Sequence, residues 1–570
     1  MTKRIFNLRN VIAAAICLAG LTASVSAWAQ SSGFNKLFGG SQDDYVNDNA
    51  SFGHLDYRNI KLAADGTIWV CGSTESNDGD LAVPGNKGDV DAWLLNIDPA
   101  TGQIKYNRTF GGTRFDEFCS LLLMGDGTVW VCGSTTSADG DLTVAGNKDN
   151  ADGWVMHINP VTDQVLYNRT IGGSGEDLFY NIAISNNTIY LCGESASAFG
   201  DNTDNGFHSS TSGSGTDAWL VGINSTQNES AALTYNRCFG GVQADGFFTM
   251  QPMIDGTLWC AGGARSTDGD IAAATIGNHG AAGKADAWLM HIDPTQASAA
   301  QILYNCCYGG TSDESFTDVN VLNNNTIWLC GSAASNDGNL ATAGNHGNTD
   351  VWLACVDSTT STLTYNRCFG GSGVDARYYS THMQFAADGT IWIAAQSAST
   401  DGDLATAGNH GGNDVWLFNV DPVTNQIKYS KCYGGSGDEI MPSLALDPAH
   451  GYIWIVAGTT SSASGNVPAS HGGVDLWLFN SDIATGISDV EIQTLQIYPN
   501  PVKDELTIEN YGTGIDNLTI TDLSGRIVMV VGAGLKPALT GETTTINVSS
   551  LPSGVYFIKV GNNTGKFVKN

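Results

Sequence analysis

The chain has 570 residues, with 57 acidic against 25 basic side chains and a formal net charge of −32 at pH 7. Negative charge on this scale repels phosphate backbones and anionic lipid, which excludes nucleic acid and membrane surfaces as expected partners. The length exceeds one typical domain, although an array of internal repeats can use it as a single unit.

The chain begins with a predicted export signal. Three basic residues precede an apolar stretch over residues 11–25, and Ala27-Trp28-Ala29 forms a small-x-small cleavage site. The apolar stretch is too short to span a membrane, and no later stretch approaches that length. We therefore predict a signal peptide over residues 1–29 and a mature protein outside the cytoplasm without a membrane span.

Two motifs recur seven times along the middle of the chain. The tryptophans of the first motif, Asp-x-Trp, are Trp93, Trp154, Trp219, Trp288, Trp352, Trp416 and Trp477. The second motif, an aromatic residue or Ile followed by Gly-Gly, begins at Phe38, Phe110, Ile171, Phe239, Tyr308, Phe369 and Tyr433. A regular internal repeat of this kind indicates one repeated supersecondary unit.

Each repeat predicts four short strands. In the first repeat the Asp65-Gly66 pair joins two of them, and such pairs adopt the positive φ angles that tight hairpins need. The third strand carries Asp-x-Trp, and the fourth ends at the next aromatic-Gly-Gly motif. Seven such units predict an all-β protein, a seven-bladed β-propeller of four-stranded antiparallel blades over residues 30–482. A solenoid with capped ends is the alternative.

The two ends of the array favour a closed ring. The last unit lacks a fourth strand after Trp477, whereas an orphan strand stands before the first unit at residues 34–40. We predict that the orphan strand pairs with residues 476–480, which leaves no unpaired edge at the last blade. In a solenoid, which is open at both ends, there is no reason for one repeat to be split between the two ends of the array.

The units resemble the β-propeller repeats of secreted bacterial proteins. The resemblance rests on Phe-Gly-Gly, Asp-Gly-x-Ile-Trp-Val and Asp-Ala-Trp-Leu, which occur in this order, and it covers residues 34 to about 482. It implies the fold but says little about function, because propellers serve as enzymes, lectins and scaffolds alike.

The pattern changes after a predicted linker at residues 483–493. Tyr498-Pro499-Asn500-Pro501, a Leu523-Ser524-Gly525 turn and Leu551-Pro552-Ser553-Gly554 separate short alternating strands, which predicts a small β-sandwich over residues 494–570. These motifs resemble the type A sorting domain of the type IX secretion system of Bacteroidetes. The resemblance implies recognition by that machinery, removal of the domain, and either attachment to the cell surface or release. An accessory binding sandwich is the alternative.

A carboxylate follows each aromatic-Gly-Gly motif by four residues. The seven are Asp44, Asp116, Asp177, Asp245, Glu314, Asp375 and Glu439. They could ring one mouth of the central channel and hold a cation such as Ca²⁺, which takes several oxygen ligands. The alternative is a repeated loop cap, in which each carboxylate accepts backbone N–H bonds. A feature present in every repeat favours the architectural role.

Four loops between the second and third strands carry Asp-Gly-Asp. Their acidic residues are Asp78, Asp80, Asp139, Asp141, Asp268, Asp270, Asp401 and Asp403. These residues are candidates for Ca²⁺ binding, but none of the loops has EF-hand spacing, and a loop-stabilising role is favoured. Three loops also contain histidines, His279, His346 and His410, one per blade and therefore too far apart to share a zinc ion. No other cofactor is expected.

Twelve cysteines follow the predicted signal peptide. Cys71, Cys132, Cys192 and Cys330 share one strand position at which other repeats have Ala261 and Ala394. A position that accepts Cys or Ala is a small packing site, so we expect these four to be buried free thiols. The sequence leaves any disulfide pairing of the others open.

No catalytic motif stands out, since the chain lacks Gly-x-Ser-x-Gly, His-Glu-x-x-His and Cys-x-x-Cys. We predict a monomeric, non-enzymatic binding or scaffold module for an extracellular protein or glycan. The alternative is a polysaccharide hydrolase or lyase with its site at the channel mouth. Departures from the repeat indicate where a specific site lies: the third unit differs over residues 201–208, and the sixth has Arg377-Tyr378-Tyr379 and His382.

Overall fold

The computed structural model describes residues 33–45, 59–143, 145–147, 150–197, 206–208, 215–297, 300–323, 325–376, 381–483, 496–509, 518–522, 527–531, 543–560 and 563–570. The predicted signal peptide and residues 484–493 of the predicted linker lie outside these ranges. The chain divides into two compact units, residues 1–483 and 484–570.

In the first unit the described strands form seven antiparallel sheets. The N-terminal strand is β1 (Asn35–Phe38). The first sheet contains β2 (Asp44–Tyr45) and β3 (Ile60–Leu62), which both pair with β4 (Ile68–Thr74). Its remaining strands are β5 (Asp91–Asp98) and β6 (Gln103–Phe110). The second contains β7 (Asp116–Leu123), β8 (Val129–Thr135), β9 (Asp152–Asn159) and β10 (Gln164–Ile171). The third contains β11 (Asp177–Ser185), β12 (Thr188–Ser195), β13 (Asp217–Asn224) and β14 (Tyr235–Phe239).

The remaining four sheets repeat this order. The fourth sheet contains β15 (Asp245–Pro252), β16 (Leu258–Ala264), β17 (Asp286–Ile292) and β18 (Ile302–Tyr308), and the fifth contains β19 (Glu314–Asn323), β20 (Thr326–Ala333), β21 (Asp350–Asp357) and β22 (Thr362–Phe369). The sixth sheet contains β23 (His382–Phe385), β24 (Ile391–Ser397), β25 (Asp414–Asp421) and β26 (Gln426–Tyr433). The seventh contains β27 (Glu439–Asp447), β28 (Tyr452–Thr459) and β29 (Asp475–Asp482), and β1 is its fourth strand. Among the described residues, short 3-10 helices follow the strands β4, β8, β16, β20 and β24, at Gly79–Leu81, Gly140–Leu142, Ile271–Ala273, Gly338–Leu340 and Gly402–Leu404.

The hairpin turns inside the sheets are stabilised by local features: a glycine with a positive φ angle and an aspartate that accepts a backbone N–H bond. In the first sheet, Gly66 has a φ of +82°, and the Thr67 N–H donates to Asp65 Oδ1 at 3.0 Å. Asp126 and Asp255 cap the equivalent turns in the same way. These side-chain bonds fix the hairpins without help from the rest of the fold.

The inner strands contact one another in a closed circle. In order around the ring they are β3, β7, β11, β15, β19, β23 and β27, and β27 contacts β3. The Trp rings of the Asp-x-Trp strands are buried between neighbouring sheets. The prediction of an all-β propeller is therefore confirmed, and the solenoid alternative is wrong because the two ends of the array meet.

The N-terminal strand completes the last sheet. β1 pairs with β29 in antiparallel register, from Asn35 opposite Phe479 to Phe38 opposite Leu476. The Trp477 Nε1–H donates to Asn35 Oδ1 at 2.7 Å, and the Phe34 ring packs edge-on against Trp454 at 5.3 Å. The predicted pairing with residues 476–480 is thus confirmed.

The second unit is also all-β in its described residues. One sheet contains β30 (Gln496–Tyr498), β31 (Glu505–Glu509) and β34 (Thr543–Asn547), and the other contains β32 (Leu518–Asp522), β33 (Ile527–Val531), β35 (Gly554–Val560) and β36 (Asn563–Lys569). Its buried side chains, such as Leu506, Ile520, Ile558 and Phe567, form one core. Across both units, no helix in the described part of the chain has the length and apolar character to cross a membrane.

All twelve described cysteines are buried thiols outside any disulfide, which confirms the expectation for the four at the shared strand position. Burial raises the pKa of Cys71, and it does the same for Cys132 and Cys330. Thiols whose ionised form is disfavoured in this way are poor nucleophiles, so these residues act as small packing side chains.

Removing residues 30–40 is predicted to loosen the last sheet first. The deletion exposes the backbone edge of β29 and removes the ring contact to Trp454. Hydrogen exchange of the deleted and intact proteins measures this: residues 452–480 should lose protection before residues 60–72 do. Loss of protection in residues 60–72 with residues 452–480 unchanged would contradict the closed ring.

Candidate functional site

Each predicted channel-mouth carboxylate caps its own loop. Asp116 is fully buried, and the Gly112 N–H donates to its Oδ2 at 2.7 Å. The Ser137 hydroxyl donates to the same oxygen at 2.7 Å, and the Thr135 hydroxyl donates to Oδ1. Both carboxylate oxygens are therefore occupied by the loop and by strand β8.

The same cap recurs in the other six repeats. In each, the second glycine of the aromatic-Gly-Gly motif donates its N–H to the carboxylate four residues later, at 2.6 to 2.8 Å: Gly40 to Asp44, Gly173 to Asp177, Gly241 to Asp245, Gly310 to Glu314, Gly371 to Asp375 and Gly435 to Glu439. The structure places the seven carboxylates in seven separate junctions between sheets. These contacts support the loop-cap alternative.

A second carboxyl, from the Asp-x-Trp motif, faces each cap. At Gly111, a Cβ atom in place of the glycine hydrogen would lie 2.5 Å from Asp116 Oδ2 and closer still to Asp91 Oδ1. Only hydrogen fits between the two carboxyls, which leaves room for weak Cα–H···O contacts and no side chain. The same arrangement is present at Gly39 with Asp44 and Asp475, at Gly172 with Asp152 and Asp177, at Gly240 with Asp217 and Asp245, at Gly309 with Asp286 and Glu314, at Gly370 with Asp350 and Asp375, and at Gly434 with Asp414 and Glu439.

Burial is the main electrostatic cost at these junctions. It raises the pKa of Asp91 to about 7 and that of Asp116 to about 6, and the charge of Asp116 adds to the shift of Asp91. Burial likewise raises the pKa of Asp217 to about 7 and that of Asp245 to about 6. The Asp-x-Trp carboxyls are not among the site residues predicted from the sequence, although their presence in every repeat was the signal.

The Asp-Gly-Asp loops fasten each sheet to the preceding Gly-Gly segment. The Thr113 N–H donates to Asp139 Oδ1 at 2.8 Å, and the Gly111 N–H donates to Asp141 Oδ2 at 3.1 Å. The Asp141 N–H in turn donates to the Gly111 carbonyl at 3.0 Å. The same side-chain bonds join Asp78 to Ser41 and Asp80 to Gly39, Asp268 to Val242 and Asp270 to Gly240, and Asp401 to Ser372 and Asp403 to Gly370.

These eight loop aspartates therefore stabilise loops. Within the described ranges, no three His, Cys, Asp or Glu side chains come together where they could hold a metal ion. Calcium binding stays a prediction from the sequence.

The loop histidines pair with the buried Asp-x-Trp carboxyls. His279 Nδ1 lies 2.7 Å from Asp286 Oδ2, and the distances for His346 to Asp350 and His410 to Asp414 are 2.9 and 2.8 Å. Two further pairs are His208 with Asp217 at 3.0 Å and His471 with Asp475 at 3.1 Å. In the first sheet Lys87 takes this place, and its backbone N–H donates to Asp91 Oδ2 at 2.6 Å.

The centre of the ring holds a cavity of about 590 Å³ that all seven inner strands line. Its lining residues are Ile60, Lys61, Leu122, Asn181, Ile182, Ala183, Ile184, Met250, Gln251, Pro252, Asp318, Val319, Asn320, His382, Met383, Gln384, Phe385, Ser443 and Leu444. None of the seven capping carboxylates is among them. The cavity is mostly aliphatic and amide in character, with three ionisable side chains.

Two of those ionisable residues, Asp318 and His382, break the repeat. They lie at equivalent positions on the neighbouring strands β19 and β23, where the other inner strands have uncharged Asn59, Ser120, Asn181, Thr249 and Ser443. The Met383 N–H donates to Asp318 Oδ2 at 2.9 Å, so the carboxylate joins the two strands. Of the predicted irregularities, Phe207, His208 and His382 lie within the described residues; residues 201–205 and Arg377-Tyr378-Tyr379 lie outside them.

Residues 496–570 match a protein family described as the secretion system C-terminal sorting domain. This match confirms the predicted sorting domain and its handling by type IX secretion. The chain is exported by that route to the cell surface or the extracellular space. No curated protein matches the chain in sequence.

Among solved structures, the chain is similar to the β-propeller domain of Cps50 (Swd1) from Myceliophteria thermophila, with 9% identity, coverage of 75% of this chain and 97% of that chain, and a TM-score of 0.38. It is similar to the polysaccharide lyase Uly1, with 9% identity, coverage of 80% and 99%, and a TM-score of 0.41. A third structure is hydrazine synthase of Kuenenia stuttgartiensis, with 11% identity, coverage of 84% and 96%, and a TM-score of 0.28. Similarity at this level carries no argument about function.

Deleting residues 494–570 is predicted to leave the rest of the protein in the periplasm, because the sorting domain is the part that the export machinery recognises. Cell fractionation and surface labelling of the truncated and full-length proteins test this. Tryptophan fluorescence of the truncated protein is the control for folding. Surface exposure of the truncated protein in normal amounts would contradict the prediction.

Proposed function

We propose that the exported propeller is a non-enzymatic binding or scaffold module that holds an extracellular glycan or protein segment in its central channel. The observation that carries this proposal is the channel cavity of about 590 Å³ and its lining. Ligand pockets are commonly of this size. Polar groups make up the larger share of the exposed surface of this lining. The sorting domain supplies the route by which such a module meets extracellular partners.

The lining favours an uncharged polar ligand. Amide side chains such as Asn181 and Asn320 offer both donors and acceptors, next to aliphatic groups such as Ile182 and Met250. Two other amides also support the wall, since Gln251 accepts the Val321 N–H at 2.7 Å and Gln384 accepts the Leu446 N–H at 2.8 Å. The net charge of −32 opposes the approach of polyanions.

Filling the channel is predicted to abolish binding. Ala183 lines the cavity, so Ala183→Trp should weaken the binding of a captured ligand by about tenfold or more, which corresponds to about 1.4 kcal/mol. Val161→Trp is the matched control, because Val161 is 90% exposed on an outer turn. The mature protein is screened on a glycan array, with calcium and with chelator, and hits are measured by calorimetry. Equal binding by both variants would place the ligand elsewhere.

A second candidate function is cleavage of a polysaccharide in the same channel. The observation that favours it is the pair Asp318 and His382, which bring an acid and a base to neighbouring strands of the cavity. Incubating the mature protein with neutral and anionic polysaccharides and measuring chain length tests this candidate. Cleavage that Asp318→Asn and His382→Ala both abolish would support it, and the absence of cleavage by the unmodified protein would exclude it for the polysaccharides used.

A further inference from the structure

The two carboxyls at each junction accept different numbers of hydrogen bonds. At the junction between the first two sheets, Asp116 accepts one N–H and two hydroxyl bonds. Asp91 accepts the Lys87 N–H at 2.6 Å through Oδ2, whereas its buried Oδ1 has no hydrogen-bond partner in the described part of the chain. A buried carboxylate oxygen without a donor is costly, because nothing replaces the water it has lost.

The cations near this junction are engaged elsewhere. Lys87 Nζ donates to Asp141 Oδ2 at 2.6 Å and to the Thr109 carbonyl at 3.0 Å. Arg108 donates to Asp163 at 2.7 Å and lies over the Phe110 ring. The charged groups on the surrounding elements are Lys87 and Asp89 in the preceding loop, Arg108 on β6, Arg114 in the Gly-Gly segment, Glu117 on β7, and Asp139 and Asp141 in the Asp-Gly-Asp loop. Acidic groups outnumber basic ones, and the Lys87 charge offsets the effect of burial on the pKa of Asp91 only in part.

We propose that Asp91 holds its proton up to near-neutral pH, and that the propeller is consequently held together most firmly in mildly acidic surroundings. Its neutral form removes the charge that would face Asp116 across Gly111, while the better-bonded Asp116 stays the acceptor. Asp217, Asp286, Asp350 and Asp414 also have a buried Oδ1 without a hydrogen-bond partner among the described residues. Burial raises the pKa of each of them as well, and the histidine Nδ1 that lies within 3.0 Å of each carboxyl lowers it in part. The feature is thus distributed around the ring.

The sign of the pH dependence follows from the shifts. The pKa of Asp91 is raised from 3.8 to about 7 and that of Asp350 to about 6, so the folded state binds these protons more tightly than the unfolded chain does. Their contribution to stability is complete below the unfolded pKa and is lost as the pH rises through about 6 to 7. Turn carboxyls such as Asp126 have lowered pKa values, so their contribution to stability is lost as the pH falls. They therefore limit the gain in stability at the acidic end.

Thermal unfolding of the mature full chain across the range from about pH 5 to about pH 8 tests the proposal. Tryptophan fluorescence at constant ionic strength reports the Tm, with chelator present throughout. The unmodified protein should have its highest Tm near the acidic end and lose several degrees towards the alkaline end. A Tm that is equal or higher at the alkaline end would overturn the proposal.

Asp91→Asn imitates the protonated side chain. It should raise the Tm at the alkaline end, with no gain at the acidic end. Asp126→Asn is the matched control, since it removes the same charge from a solvent-exposed turn and should not raise the Tm at the alkaline end. If Asp91→Asn lowers the Tm equally at both ends, the proposal is wrong.

Infrared spectroscopy of the unmodified protein gives an independent measurement should the variant fail to fold. A protonated-carboxyl band at neutral pH that disappears on unfolding supports the proposal. The absence of such a band in the folded protein overturns it.

Discussion

The propeller depends on the close approach of two buried carboxyls to one glycine at each junction between sheets. At Gly111 the hydrogen of the Cα atom is the only group that fits between Asp91 and Asp116. This contact fixes where the fourth strand of one sheet ends and where the inner strand of the next begins. The Asp-Gly-Asp loop then binds the same glycine through its N–H and its carbonyl. Three motifs far apart in the sequence therefore meet at one point.

This architecture explains why so acidic a protein shows no clustered metal ligands within its described residues. The repeated carboxylates are distributed over separate junctions, where backbone N–H groups and hydroxyls use their oxygens. Residues that repeat seven times serve the ring, whereas Asp318 and His382 depart from the repeat and line the channel. The channel is therefore where a specific interaction is best sought, and the sorting domain delivers it to the outside of the cell.

Sequence reasoning reached the fold because its signals are local. The Asp65-Gly66 turn and the strand containing Trp69 can each be recognised within a few residues, and the orphan strand at residues 34–40 identified the closure. The hydrogen bonding at the junctions could not be predicted from the sequence. Contacts between sheets determine which oxygen of Asp91 lacks a hydrogen-bond donor. The pairing of His471 with Asp475 and the lining of the cavity likewise arise only once the ring has closed.

The most direct test of the junction is the substitution Gly111→Ala compared with Gly127→Ala. Both glycines have positive φ angles, of +154° and +85°, but Gly127 has open space around its Cα atom, whereas Gly111 lies between two carboxyls. Chemical denaturation of the mature protein measures the free energy of unfolding of each variant. We expect Gly127→Ala to cost about 1 kcal/mol, the usual penalty of a positive φ. Gly111→Ala should cost several times more or prevent folding, and equal costs for the two variants would contradict the account.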